Sequence, residues 1–199
     1  MSRKEFFLSE ALEIKRHLLQ FLRHPLDEIK RIPDWPWHRA LGLQIFLASS
    51  TGALAGLLEK KILYSIIFGL FLSPILTLIT MGILTLYFYY CFQIFAVKTV
   101  SFRHLFALIV FASIPHFVFQ IIAGYLPPVT LAAAAFTGYL TYIGIQENFQ
   151  IEKKLALRII AALYALFFVI WISNQISSSR WDKNWSSEKV EAPEVELGK

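Results

Sequence analysis

The sequence predicts an all-α fold: a polytopic transmembrane helical bundle of about five spans behind an N-terminal amphipathic helix. Three observations carry that expectation. Hydrophobic residues make up 56% of the 199 and charged residues only 17%, with a mean hydropathy of +0.55. The charges are also excluded from long blocks, since no Asp, Glu, Lys or Arg occurs between residues 62 and 97. A soluble helix with one wet face would need several there. Finally, eight of the nineteen Lys and Arg lie in residues 1–39, whereas the stretch beyond Asn174 carries five acids against four bases. That asymmetry fits the positive-inside rule better than a nucleic-acid stripe. Cys91 is the only cysteine, so no intrachain disulfide and no cysteine metal cluster are expected.

Residues 1–39 read as a basic interfacial segment. Phe7, Ala11, Ile14, Leu18 and Leu22 recur three or four apart, with Lys4, Glu13, Lys15, Arg16 and Arg23 mostly on the other side. One apolar stripe on a charged helix belongs along the headgroups or beneath a bundle, not across a membrane. Pro25 ends that helix, and Pro33 and Pro36 prevent the next residues from forming one. Trp35, Trp37 and Arg39 make an interfacial collar. No small-residue cleavage pattern follows a short apolar run, so no removable leader is expected.

Residues 40–173 read as the membrane domain. Residues 40–58 form the first span, nineteen residues without a charge until Glu59-Lys60-Lys61. The run 62–97 is too long for one crossing, about 54 Å against a hydrocarbon core of about 30 Å. Pro74 divides it, giving either a short helix 62–73 before a span 75–97, or two spans with a tight turn. Loop charge favours the first. With five spans and the N-terminus inside, thirteen bases lie on the cytoplasmic side and six outside. The remaining spans are 102–124, bent at Pro115, then 129–146 after Pro127-Pro128, and 155–172 after Lys153-Lys154. Trp171, Trp181 and Trp185 fit the far interface. Residues 174–199 read as a polar, disordered tail.

The polar residues inside the spans are the candidates for function. Ser113, His116 and Gln120 share one helix face beside the bend at Pro115, and Pro74 marks a second irregular point. The plainer role for His116 and Gln120 is to hydrogen-bond carbonyls freed by the proline bend or a neighbouring helix. Ala48, Gly52 and Gly56 line up at four-residue spacing, and Gly138 lies in a helix rich in small residues. These four suit close helix packing. No zinc helix, nucleophile elbow or phosphate loop occurs, and the five histidines are scattered. No catalytic, cofactor-binding or metal-binding residue is therefore assigned, and the expectation is a non-enzyme without cofactors.

The order of these features resembles the Yip family. It rests on the basic helix ending near Pro25, five apolar spans, the linker Lys98-Thr99-Val100-Ser101-Phe102, and mid-span Ser113-Ile114-Pro115. The resemblance covers roughly residues 20–173 and implies a five-helix membrane bundle with a cytoplasmic N-terminus. Founding members of that family interact with Rab GTPases, partly through a Leu-Tyr-Gly-Pro-type motif. This chain has no such motif, and Ala96-Val97 stands where a Gly-Gly pair is common. Both departures count against a Rab-type partner. The compact form is similar to bacterial relatives, which implies a multi-pass protein of the bacterial inner membrane with its C-terminus on the opposite side. The expected partners are the lipid bilayer, other membrane proteins or a second copy, and no nucleic acid. The function this implies is membrane organisation through protein or lipid contacts. The alternative is a small transporter, channel or lipid-moving protein with a pathway around Pro115 and His116, where broken helices carry polar groups at mid-depth.

Overall fold

A computed structural model of the chain describes residues 3–58, 62–123, 126 and 128–188. Within its helices the side chains of residues 3–11, 128, 171 and 174–188 lie outside the description. The expectations placed on Phe7, Ala11, Trp171, Trp181 and Trp185 fall there. Every regular element among the described residues is helical. They fall into two units, Met1–Ile159 and Ile160–Lys199.

The chain enters as α1 (Arg3–Arg23), broken before Pro25, then the one-turn α2 (Pro25–Glu28) and a 3-10 turn, Ile29–Arg31. An extended segment leads into α3 (Trp37–Leu57), which returns as α4 (Ile62–Phe95). Small residues set how closely these two antiparallel helices approach. A Cβ on Gly52 would stand 2.5 Å from the Gly69 carbonyl oxygen, and one on Gly56 would stand 2.7 Å from Ser65 backbone. Ser73 Oγ donates to Ala48 O at 3.3 Å, in the same register. The crossing is therefore backbone on backbone, as small-residue interfaces in lipid allow.

Helix α4 corrects the expected division at Pro74, because it runs unbroken for 34 residues with Pro74 buried inside it. Proline lacks the N–H that would bond the carbonyl four residues back, here Leu70. Ser49 of α3 supplies the missing donor, its Oγ lying 3.1 Å from Leu70 O. A partner helix thus repairs what the sequence read as a breakpoint. The excess length, about 51 Å in all, is accommodated at the other end. The α3–α4 register brings Trp37 level with about residue 84, so the last turns of α4 continue past α3. There Tyr89 meets Phe102 at 5.7 Å between ring centroids, Phe92 meets Phe149 at 6.1 Å, and the Tyr87 hydroxyl donates to Ile159 O at 3.0 Å.

The expected span 102–124 is two helices, α5 (Phe102–Ala112) and α6 (Ile114–Ala123), and the break falls at Ser113 rather than at Pro115. Pro115 has no N–H to offer Phe111 O four residues back, so the helical ladder is interrupted there while Ser113 keeps right-handed helical dihedrals. Ser101 caps α5, accepting from His104 N. Every residue from Leu105 to Ala112 is buried. Apolar all round, α5 is the central helix, which requires protein on each side. Helices α3, α4 and α7 cover part of it, and the N-terminal segment covers the rest through Phe21, Ile29 and Trp35.

Helix α7 (Pro128–Phe149) begins with proline in its first turn, where no intrahelical donor is lost. Residues 153–188 form one helix, α8, containing the expected span 155–172. The expected loose tail is helical as far as Glu188, because neither glycine nor proline interrupts residues 153–188. Among the described residues, four helical stretches are long and apolar enough to cross a membrane: Trp37–Leu57, Ile62–Phe95, Phe102–Ala123 and Val129–Phe149.

Candidate functional site

The first polar constellation locks the N-terminal segment to the bundle. Asn148, near the end of α7, accepts from Ile32 N at 3.0 Å and donates to Ile29 O at 2.8 Å. Its Nδ2 also reaches Gly144 O at 2.9 Å. One side chain thereby satisfies backbone groups that the irregular turn cannot pair by itself. Gly144 makes room: a Cβ there would collide with Leu108, 2.8 Å away, and crowd Ile29 at 3.1 Å.

Charges reinforce the lock. Asp34 binds Arg103 at 2.7 Å and lies 3.9 Å from His104 Nδ1, while Glu13 on α1 binds Arg39 at 2.9 Å. Lys98 Nζ donates to Phe149 O at 2.6 Å, placing a cation on the negative end of α7. Aromatic packing fills the space beneath: Trp35 touches Phe111 at 5.1 Å and His17 at 5.6 Å, and Phe21 touches Phe111 at 5.5 Å. On the outer surface the Lys30 ammonium, 3.0 Å from Asp27, holds that carboxyl below its usual value through a hydrogen bond and charge.

Both helix ends around Lys98 use left-handed backbone. Val97 has φ 49° and Gln150 φ 50°. After α4, Ala96 N and Lys98 N both return to Phe92 O, at 3.1 and 3.2 Å, the hydrogen-bonded exit in which glycine is the usual residue. Val97 occupies that position instead and is 89% exposed.

The second constellation is the break in the third apolar stretch. Ser113 Oγ donates to Ile109 O at 2.8 Å and lies 3.5 Å from Met81 Sδ on α4. Pro115 is buried beside it, while His116 and Gln120 are only partly buried, and the His116 ring stands edge-on to Phe117 at 6.3 Å. Pro74 is not with them: it faces the α3 contact, a separate place. The two irregular points named from the sequence thus lie in separate places.

Other buried hydroxyls serve their own helices four residues back, as Thr51 on Leu47 O, Thr85 on Met81 O and Thr141 on Thr137 O. Gln44 differs. It is fully buried on α3, and neither its Nε2 nor its Oε1 has a partner. Trp37 touches Phe102 and Phe106, so α3 and α5 start together. Seven residues on, about 10 Å deeper, Gln44 lies near the depth of the Ser113 break.

The packing candidates sit as follows. Ala48, Gly52 and Gly56 all face α4, and Gly138 is buried on α7. Sequence reading missed Asn148, Ser49, Lys98 and Gln44 as structural or polar centres. Asn148 stands beside Glu147, which marks a water boundary, and Ser49 and Gln44 are single polar residues in an apolar span with no spacing to single them out. Among the described residues no group of three His, Cys, Asp or Glu converges on a point that could hold a metal.

No curated protein and no solved structure matches the chain. The Yip1 domain, by contrast, matches residues 19–174, from the second half of α1 through the first half of α8. That range takes in the N-terminal lock apart from Glu13 and His17, the α3–α4 hairpin and the broken central stretch, and the chain belongs to the Yip family.

Proposed function

We propose that this integral membrane protein organises its membrane without bond chemistry, through contacts of the bundle with lipids and with other membrane proteins. The observation that carries this reading is the N-terminal lock. A basic helix is fixed beside the central span by Phe21, by His17 on Trp35 and by the Glu13–Arg39 pair, Asn148 holds the turn that follows it, and the helix still presents outward leucines and bases. A rigid bundle carrying such a helix is suited to holding a surface. The compact form, similar to bacterial relatives, supports a multi-pass protein of the bacterial inner membrane, and loop charge supports the N-terminus in the cytoplasm with the C-terminus opposite.

A second reading, a small transporter or lipid-moving protein, is favoured by unpaired Gln44 near the depth of a helix break flanked by Pro115, His116 and Gln120. Reconstituted protein compared with His116→Ala separates the two. Solute flux and lipid scrambling at the level of empty vesicles are expected. Transport above that level, lost in H116A, overturns the organising role.

A further inference from the structure

Helix α1 has three sectors, not two. With Leu12 at zero and about 100° per residue, Ile14, His17 and Phe21 fall between about 140° and 200°. This is the sector against the bundle, where His17 meets Trp35 and Phe21 meets Phe111. On the same scale, Leu18, Leu22 and Leu19 fall between about 240° and 340°, closing on Leu12. Leu12, Leu19 and Leu22 are 55%, 46% and 52% exposed, so the bundle does not cover this second apolar sector. Arg23, Arg16 and Gln20 occupy about 20° to 80° and are exposed. Lys15 projects from within the leucine sector on a stem long enough to lift its charge clear of it.

A helix lying beside a membrane bundle at headgroup depth meets three surroundings in turn: protein, acyl chains and the headgroup layer. Its depth is set by named contacts. Glu13 binds Arg39 in the first turns of α3, next to Trp37, where a tryptophan and an arginine mark the polar boundary of the first span. The leucine sector then faces hydrocarbon, and Lys15, Arg16 and Arg23 stand at phosphate level. We infer that this outer face of α1, residues 12–23, docks on the leaflet beside the bundle and that Lys15, Arg16 and Arg23 select anionic headgroups there. This deepens the organising role by naming its lipid. Each base near an anionic surface strengthens attachment several-fold, and three together shift docking on the order of 100-fold.

The test uses the full chain with Cys91→Ser, so that one introduced cysteine reports. Leu19→Cys probes the leucine sector and Gln20→Cys, its neighbour, the wet sector. Both are placed in nanodiscs of phosphatidylcholine alone or with one quarter phosphatidylglycerol, and labelled with a polar maleimide. The ratio of Gln20→Cys to Leu19→Cys labelling rates cancels any effect of membrane charge on the reagent. That ratio is expected to rise at least ten-fold with phosphatidylglycerol. It should fall back in Lys15→Gln/Arg16→Gln/Arg23→Gln, whose helical circular dichroism should stay unchanged since all three sites are exposed. A ratio near one in both lipids overturns the inference and points to a protein partner for this face. A high ratio indifferent to lipid and to the three substitutions also overturns it, leaving insertion without headgroup recognition. Neither outcome touches the flux measurement, so this inference and the organising role fail separately.

Discussion

Val97 holds a backbone conformation that a β-branched side chain strongly disfavours, by about 1–2 kcal/mol for an L-residue in left-handed geometry. Its side chain projects into the surroundings and contributes little packing in return. Val97→Gly removes that strain but makes the unfolded chain more flexible, a cost of about 0.5–1 kcal/mol. The expected net is a stabilisation of about 0.5–1 kcal/mol, read as a higher unfolding midpoint in detergent. A lower midpoint would mean that Val97 makes a contact in the membrane that outweighs its strain. The departure from a Gly-Gly pair at Ala96-Val97 was legible in the sequence. That Val97, of the two, takes the left-handed position was not, since it depends on Ala96 and Lys98 both reaching Phe92 O. Asn148 was illegible for a related reason, because its partners Ile29 and Ile32 lie more than a hundred residues away in sequence.

At the scale of elements, Pro74 and Ser49 behave as one unit. Replacing Ser49 by Ala leaves Leu70 O without a donor and should cost about 1 kcal/mol. Pro74→Ala restores a helical N–H for the same carbonyl, so Ser49→Ala made in that background should be nearly neutral. A double-mutant cycle on reversible unfolding in mixed micelles measures the coupling. Additive effects would show that Ser49 and Pro74 act independently. Apolar length and the four-residue spacing of Ala48, Gly52 and Gly56 gave away the hairpin's first helix. They did not reveal its second, because Ser65, Gly69 and Ser73 become meaningful only once the register is known. The break at Ser113 was nearly legible, displaced by two residues from the proline that causes it.

At the scale of the whole molecule, charge distribution supports an odd number of crossings, with residues 155–172 of α8 as the last. Reporters placed after Lys98 and after Arg180 should then respond from opposite sides of the membrane. Responses from the same side would remove one of the crossings between residues 98 and 180. The all-helical membrane fold was legible from composition alone, since uncharged blocks of this length leave few alternatives in lipid. The role of residues 12–36 was not. A single apolar stripe left open whether the helix lies along the headgroups or beneath the bundle, and it did not reveal that Phe21, Ile29, Ile32 and Trp35 are buried in the bundle. Enclosure of α5 has a consequence for biosynthesis. Residues 12–36 leave the ribosome long before Phe102–Ala112 exist, so the first segment made has to wait, unpartnered, until the third apolar stretch enters the bilayer. Until that moment Trp35 and Phe21 have no Phe111 to rest on, and whatever shelters them in the interval acts as a chaperone for this protein.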